Sequence, residues 1–222
     1  MKNKEAKFYA YLSALLEGNI EECFQIILST FEEDRDPIKI YIDIFQRSLY
    51  RIGELWDKGK ISVAEEHLAT QITEELMHKF SSYVFKNIET NNFKVIVASV
   101  AKEFHEIGAR MVADIFRING WQVYFLGSNT PTNDLLKIIG LKKPDAVALS
   151  LTFYLNITRL IEAIRKINEN YPSLKIFVGG QAFSLGGTEL LSPLKNVNYI
   201  SSIESLNAAL KNFENCEKQK SA

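Results

Sequence analysis

Val95-Ile96-Val97-Ala98-Ser99-Val100-Ala101-Lys102-Glu103-Phe104-His105-Glu106-Ile107-Gly108 decides the fold of this chain. It opens as an apolar run with a single hydroxyl, the composition of a strand buried on both faces. It then turns polar, and from Ala109 to Asn119 apolar residues recur at helical spacing. A buried strand that ends in a polar loop and feeds a helix is the repeating unit of open α/β sheets. Such sheets bind ligands at that loop. Here the loop offers one imidazole, His105, between Glu103 and Glu106, with Gly108 following.

Downstream the same alternation continues. Strands are expected at Lys94–Ser99, Gln122–Leu126, Ala146–Leu151, Lys175–Val178 and Asn198–Ser201. Helical patterns fall at Glu106–Asn119, Asn133–Leu141, Ile157–Asn170, Thr188–Leu194 and Ser202–Phe213. Short β-rich runs separated by helices predict a parallel sheet with right-handed crossovers. Residues 92–216 therefore read as a five-stranded Rossmann- or flavodoxin-like domain, and 217–222 as a frayed polar tail.

Upstream, residues 1–91 read as a four-helix bundle, and Asn91-Asn92 marks the boundary. Gly18 ends a first helix, and Asn19 caps a second whose apolar face is Phe24, Ile27, Leu28 and Phe31. Asp36-Pro37 opens a third that runs to Trp56, since proline at the first helical position needs no N–H. Asp57-Lys58-Gly59-Lys60 breaks it, and Ser62-Val63-Ala64-Glu65 is a capping box for the fourth.

Composition narrows the function classes. Hydrophobic content is 46%, charged content 24% and formal net charge −1, so no basic field advertises nucleic-acid binding. Cys23 and Cys216 lie far apart without metal-type spacing, which fits a reducing compartment. No signal peptide or transmembrane stretch is visible, so a cytoplasmic protein without a membrane partner is expected. The chain has no G-x-G-x-x-G after its first strand, no P-loop, no acidic pair of a receiver domain and no G-x-S-x-G elbow. What remains is four loops at one sheet edge: Glu103–Gly108, Leu126-Gly127-Ser128, Ser150-Leu151-Thr152 and Gly179-Gly180-Gln181. Taken singly, Gly179-Gly180 reads equally well as a tight turn, Ser150 and Thr152 as strand-end hydroxyls, and His105 as a surface residue.

In combination, Glu-x-His-x-x-Gly, then Ser-x-Thr, then Gly-Gly resembles the cobalamin-binding domain of methionine synthases, mutases and corrinoid proteins. The resemblance covers about residues 93–214, and the family's first motif reads Asp-x-His-x-x-Gly. It implies that His105 coordinates cobalt from the lower face. The displaced dimethylbenzimidazole tail would thread beside Gly108, hydrogen-bond Ser150 and run along Gly179 and Gly180. Glu106, Ile107, Leu126, Gly127, Leu151, Thr152 and Gln181 would complete the binding surface. A ligating imidazole needs a partner on its other nitrogen. Glu103 is that candidate, and its extra methylene predicts a looser or indirect bond than the family's aspartate.

The helical half carries a second signal, Trp56 followed by Glu66-His67. One reading places Trp56 in the core and lets Glu66 complement the helix dipole. A cationic His67 at a helix N-terminus does not suit that reading. The other reading is a resemblance, over about residues 4–90, to the four-helix cap of CarH-type adenosylcobalamin light sensors. It implies that Trp56 covers the upper face of the cofactor, that Glu66 helps hold the adenosyl group, and that His67 sits beside them. Those sensors carry a DNA-binding winged helix before the cap, whereas this chain begins almost directly with cap helices. Asp57 stands where the best-known type has a histidine that takes the upper cobalt position after photolysis.

The sequence thus predicts a cobalamin-binding photoreceptor or sensor module for transcription regulation, with adenosylcobalamin the expected cofactor and methylcobalamin the other candidate. It would work through a protein partner, such as a transcription regulator, or as a homo-oligomer, rather than by direct DNA binding. No substrate chemistry of its own is expected. The alternative is a corrinoid methyl carrier of a methyltransferase system.

Overall fold

The computed structural model describes residues 2–220, and the side chains of residues 4–86 and 88–213. The chain divides into two compact units, Met1–Asn87 and Ile88–Ala222.

The first unit is a helical bundle of α1 (Lys2–Leu16), α2 (Ile20–Asp34), α3 (Pro37–Ile40), α4 (Arg47–Asp57) and α5 (Val63–Val84). Residues Tyr41–Gln46 form a π-helical turn that joins α3 to α4, so the third helix is continuous but locally widened. The caps are those written in the sequence. Asn19 accepts from Glu22 N, Asp36 accepts from Ile38 N at 3.0 Å, and the Ser62/Glu65 box is reciprocal. Phe31, Tyr41 and Phe45 pack round Phe80, with Phe31 and Phe80 edge to face at 5.4 Å between ring centroids.

The second unit is the α/β domain. Its strands are β1 (Lys94–Val100), β2 (Gln122–Thr130), β3 (Ala146–Ser150), β4 (Lys175–Gly179) and β5 (Val197–Ile200). They form one parallel sheet in the order β2-β1-β3-β4-β5. The crossovers are α6 (Ile107–Ile118), α7 (Thr132–Lys142) and α8 (Ile157–Asn170), and α9 (Ile203–Lys220) follows the last strand. Strand order reverses between β1 and β3, so the crevice for a ligand opens at their carboxyl ends. The loop that carries His105 follows β1 directly.

Three expectations need correction. β2 runs past Leu126 to Thr130, and its pairing with β1 slips twice, with Ala98 opposite Gly127 and Val100 opposite Thr130. Leu126-Gly127-Ser128 was expected as a loop at the sheet edge, but bulges keep it in the sheet. The helix expected at Thr188–Leu194 is a single 3-10 turn, Thr188–Leu190, followed by further short-range turns. Gly186 and Gly187 lie at positive φ before it, and Pro193 lacks the N–H that a longer helix needs. Finally, α9 continues through Glu217 to Lys220, where a polar tail was expected; Ser221 and Ala222 lie outside the described residues.

Replacing Ser62 by alanine removes the acceptor for Glu65 N at 3.2 Å and one half of the box. The expected cost is about 1 kcal/mol, read as a lower denaturation midpoint with an unchanged slope.

Candidate cofactor site

The site starts where β1 leaves the sheet. Glu103 N donates to Val100 O at 3.0 Å, and Lys102 within that turn sits at φ 66°. A left-handed conformation costs a residue such as lysine roughly 1–2 kcal/mol, so the surroundings must hold it.

Glu103 is completely buried. Its Oε1 accepts from His105 Nδ1 at 2.5 Å and from the His105 amide at 3.1 Å. Its Oε2 accepts from the amides of Thr152 at 3.1 Å and Phe153 at 2.8 Å. Burial pushes the carboxyl up. The His105 ring bond, the Phe153 and His105 amides and the attraction of the imidazole outweigh it, and the pKa is held down to about 2. The magnitudes agree: hydrogen bonds to a charged acceptor are worth about 1.5–3 kcal/mol each. Together, the bonds to Glu103 exceed the several kcal/mol lost on burying one ion. The extra methylene of glutamate therefore does not loosen the contact with His105. It lets one carboxylate hold the imidazole and reach the loop after β3 as well.

An ionised carboxylate can only accept, so Nδ1 of His105 carries the proton. When the ring is neutral its lone pair is on Nε2, the form in which imidazole ligates a metal. The His105 side chain is 60% exposed. Among the described residues no cluster of His, Cys, Asp or Glu could hold a metal ion by itself.

The neighbouring residues reinforce the loop. Ser99 Oγ donates to His105 O at 3.1 Å. Glu106 Oε2 accepts from Ser128 N at 2.9 Å, across the end of β2. Gly127, at φ 75°, makes room for that carboxylate, since a Cβ there would lie 3.0 Å from Oε2. Gly108 faces the buried Ser150, whose Oγ would be 3.9 Å from a Cβ at 108. Ile107 and Thr152 are half-buried and Gln181 is exposed.

Three members of the expected set have another explanation. Leu151 is fully buried in the sheet core, so only its backbone faces the loops. Gly179 and Gly180 are dictated by the backbone itself: a Cβ at 179 would meet Ile200 O at 2.7 Å, and one at 180 would meet Leu151 O at 2.2 Å. Conversely, the sequence reading missed Asn129 and Asn156, which bond the Lys102 peptide groups, and an apolar rim. Phe104, Phe153, Leu155 and Leu185 are all more than half exposed, in loops that follow β1, β3 and β4. Large apolar residues between a strand end and a helix start are the signal that could have found them.

On the helical unit, Trp56 lies in the last turn of α4 and is 50% exposed, which removes the core reading. Glu66 and His67 lie in the first turns of α5, where His67 Nδ1 pairs with Glu66 Oε2 at 2.6 Å. Glu66 Oε1 accepts from Thr70 at 3.0 Å.

Two family models, each described as a B12 binding domain, match this chain, one at residues 93–201 and the other at 8–79. The chain belongs to the cobalamin-binding-domain proteins that carry an N-terminal helical cap. It is 26% identical over 147 residues to the HTH-type transcriptional repressor CarH of Myxococcus xanthus, a match of 66% of this chain and 48% of that protein. The chain thus spans about half the length of that relative. It is 23% identical over 184 residues to the methanol–corrinoid protein of Methanosarcina barkeri, covering 81% of this chain and 69% of that one. Its fold is shared with the monomethylamine corrinoid protein of Methanosarcina barkeri, at TM-score 0.76 and 15% identity over 93% of this chain and 98% of the other.

The site fits such a cofactor on its own terms. His105 presents one metal-binding nitrogen, the apolar rim suits a flat macrocycle, and the glycine opposite Ser150 leaves the start of α6 without a side chain.

Because the Glu103 value lies below its ordinary 4.5, its stabilisation is fully present above pH 4.5 and is lost as pH falls toward 2. Denaturation across that window should show a shallower pH dependence for Glu103→Gln than for wild type. Gly180→Ala should destabilise by more than about 2 kcal/mol even without cofactor, measured by chemical denaturation of the unloaded protein.

Proposed function

We propose that this chain is a cobalamin-binding regulatory module that holds adenosylcobalamin, with His105 as the protein ligand to the lower face of cobalt. The observation that carries the reading is the buried Glu103 carboxylate 2.5 Å from His105 Nδ1. It fixes the tautomer, orients the ring and makes the opposite nitrogen more basic, which are the functions that carboxylate partners perform for metal-binding histidines.

Gly108, Ser150, Thr152, Gly179, Gly180 and Gln181 would line the path of the nucleotide tail. Glu106 with Ile107, and Leu126 with Gly127, would frame its entrance. Trp56, Glu66 and His67 would contact the upper axial group. The exposure of Trp56 supports that role, because an indole with half its surface in solvent is available to a flat ligand. Bound adenosylcobalamin supplies a cobalt–carbon bond that light can break. The chain would convert loss of the upper group into altered binding of a protein partner or of a second copy. That shift requires the cofactor to bind the two states of the protein with different affinity. The likeness to a transcriptional repressor supports the regulatory role.

A second reading, a corrinoid methyl carrier for a methyltransferase, is favoured by the likeness to two corrinoid proteins, one of them matching in fold over nearly its whole length. In that reading the upper face stays open, and Trp56 contributes little to affinity.

Illuminating the adenosylcobalamin-loaded protein should change its absorbance and its oligomeric size or partner binding. No spectral change would remove the light-sensing role. Tight binding of methylcobalamin, with methyl transfer to an added methyltransferase, would establish the carrier instead. His105→Ala should shift the bound cofactor's spectrum and weaken affinity by roughly 10- to 100-fold; an unchanged spectrum sinks the ligand assignment. Trp56→Ala should narrow the difference in affinity between adenosyl- and methylcobalamin, measured by titration in the dark.

A further inference from the structure

We infer that Asn129 is a positioning residue for the cofactor ligand, locking Lys102 in its left-handed conformation and thereby aiming Glu103 and His105. Asn129 sits at the bulged end of β2, outside the histidine loop, at φ 50°. Its backbone N donates to Glu103 O at 2.7 Å, and its side-chain Oδ1 accepts from Lys102 N at 2.8 Å. Across the loop, the Nδ2 of buried Asn156 donates to Lys102 O at 3.0 Å. Both peptide groups that flank the strained residue are therefore gripped, one from the end of β2 and one from the 3-10 turn that follows β3.

The consequence is geometric. Freed from these bonds, Lys102 would return to the right-handed region, a change in φ of more than about 100°. Glu103 is the next residue, so its carboxylate would leave the amides of Thr152 and Phe153. Its bond to His105 Nδ1 depends on the same placement. Asparagine suits the position twice over, since it tolerates the left-handed region and offers a short acceptor.

The inference rests on the reading of His105 as a cobalt ligand, and the experiment separates the two. Asn129→Gly keeps the left-handed backbone but removes the acceptor, and Asn129→Asp keeps both. Two measurements apply at one neutral pH. In cofactor-free protein, NMR follows solvent exchange of the His105 Nδ1 proton. In protein labelled with 15N-histidine and loaded with cob(II)alamin, electron paramagnetic resonance reports coupling of cobalt to a histidine nitrogen, and titration gives affinity.

Wild type and Asn129→Asp should show slow exchange and histidine coupling. Asn129→Gly should exchange faster, lose part of the histidine-coupled population and bind cob(II)alamin roughly tenfold more weakly. Identical behaviour of wild type and Asn129→Gly in both measurements overturns the inference. So does loss of both properties in Asn129→Asp, because the acceptor would then not be the operative group. Wild type without histidine coupling, but with faster exchange in Asn129→Gly, overturns the cobalt assignment and upholds the role of Asn129. Should Asn129→Gly fail to fold, Asn156→Ala removes the grip on Lys102 O and carries the same expectations.

Discussion

One buried charge organises the α/β unit's functional edge. The Glu103 carboxylate has no access to water, and it remains ionised because donors reach it from two loops. His105 supplies two of those bonds, and the amides of Thr152 and Phe153 supply the others. Low local dielectric makes each bond stronger and makes a missing one costly. The carboxylate therefore fixes the imidazole and ties together the ends of β1 and β3, the pair of strands between which the sheet reverses order. The candidate site and the local fold share one interaction.

Much of this was legible beforehand. The apolar run Val95–Val100, the alternation of strands and helices and the four loops gave the sheet and its edge, because burial on both faces leaves a strong compositional mark. The caps at Asn19, Asp36 and Ser62 were legible because side-chain capping is local in sequence. The bonds that complete the site were not. Asn129 and Asn156 act on Lys102 from 27 and 54 positions away, and nothing in their immediate neighbours announces it. The two register shifts between β1 and β2 were hidden as well, since Leu126-Gly127-Ser128 reads as a loop. The reach of Glu103 to a second loop was missed because the motif was judged only by its distance from His105.

The helical unit repeats the lesson with the opposite emphasis. Its aromatic core, centred on Phe80, follows from apolar spacing, and the π-helical turn at Tyr41–Gln46 leaves that spacing undisturbed. By sequence Trp56 reads either as core or as a cover for a flat ligand, and its exposure at the helix end decides against the core. Across the break, Glu66 is half-buried and holds the exposed His67 at the start of α5.

The two glycines at the end of β4 have a different kind of consequence. Their side chains are forbidden by the carbonyls of Ile200 and Leu151, whatever the site holds. A descendant of this protein that abandoned its ligand could discard the exposed His105 ring, yet it would have to retain Gly179-Gly180. As a fingerprint, the glycine pair therefore records ancestry of the scaffold, whereas an intact carboxylate–imidazole couple records continued use.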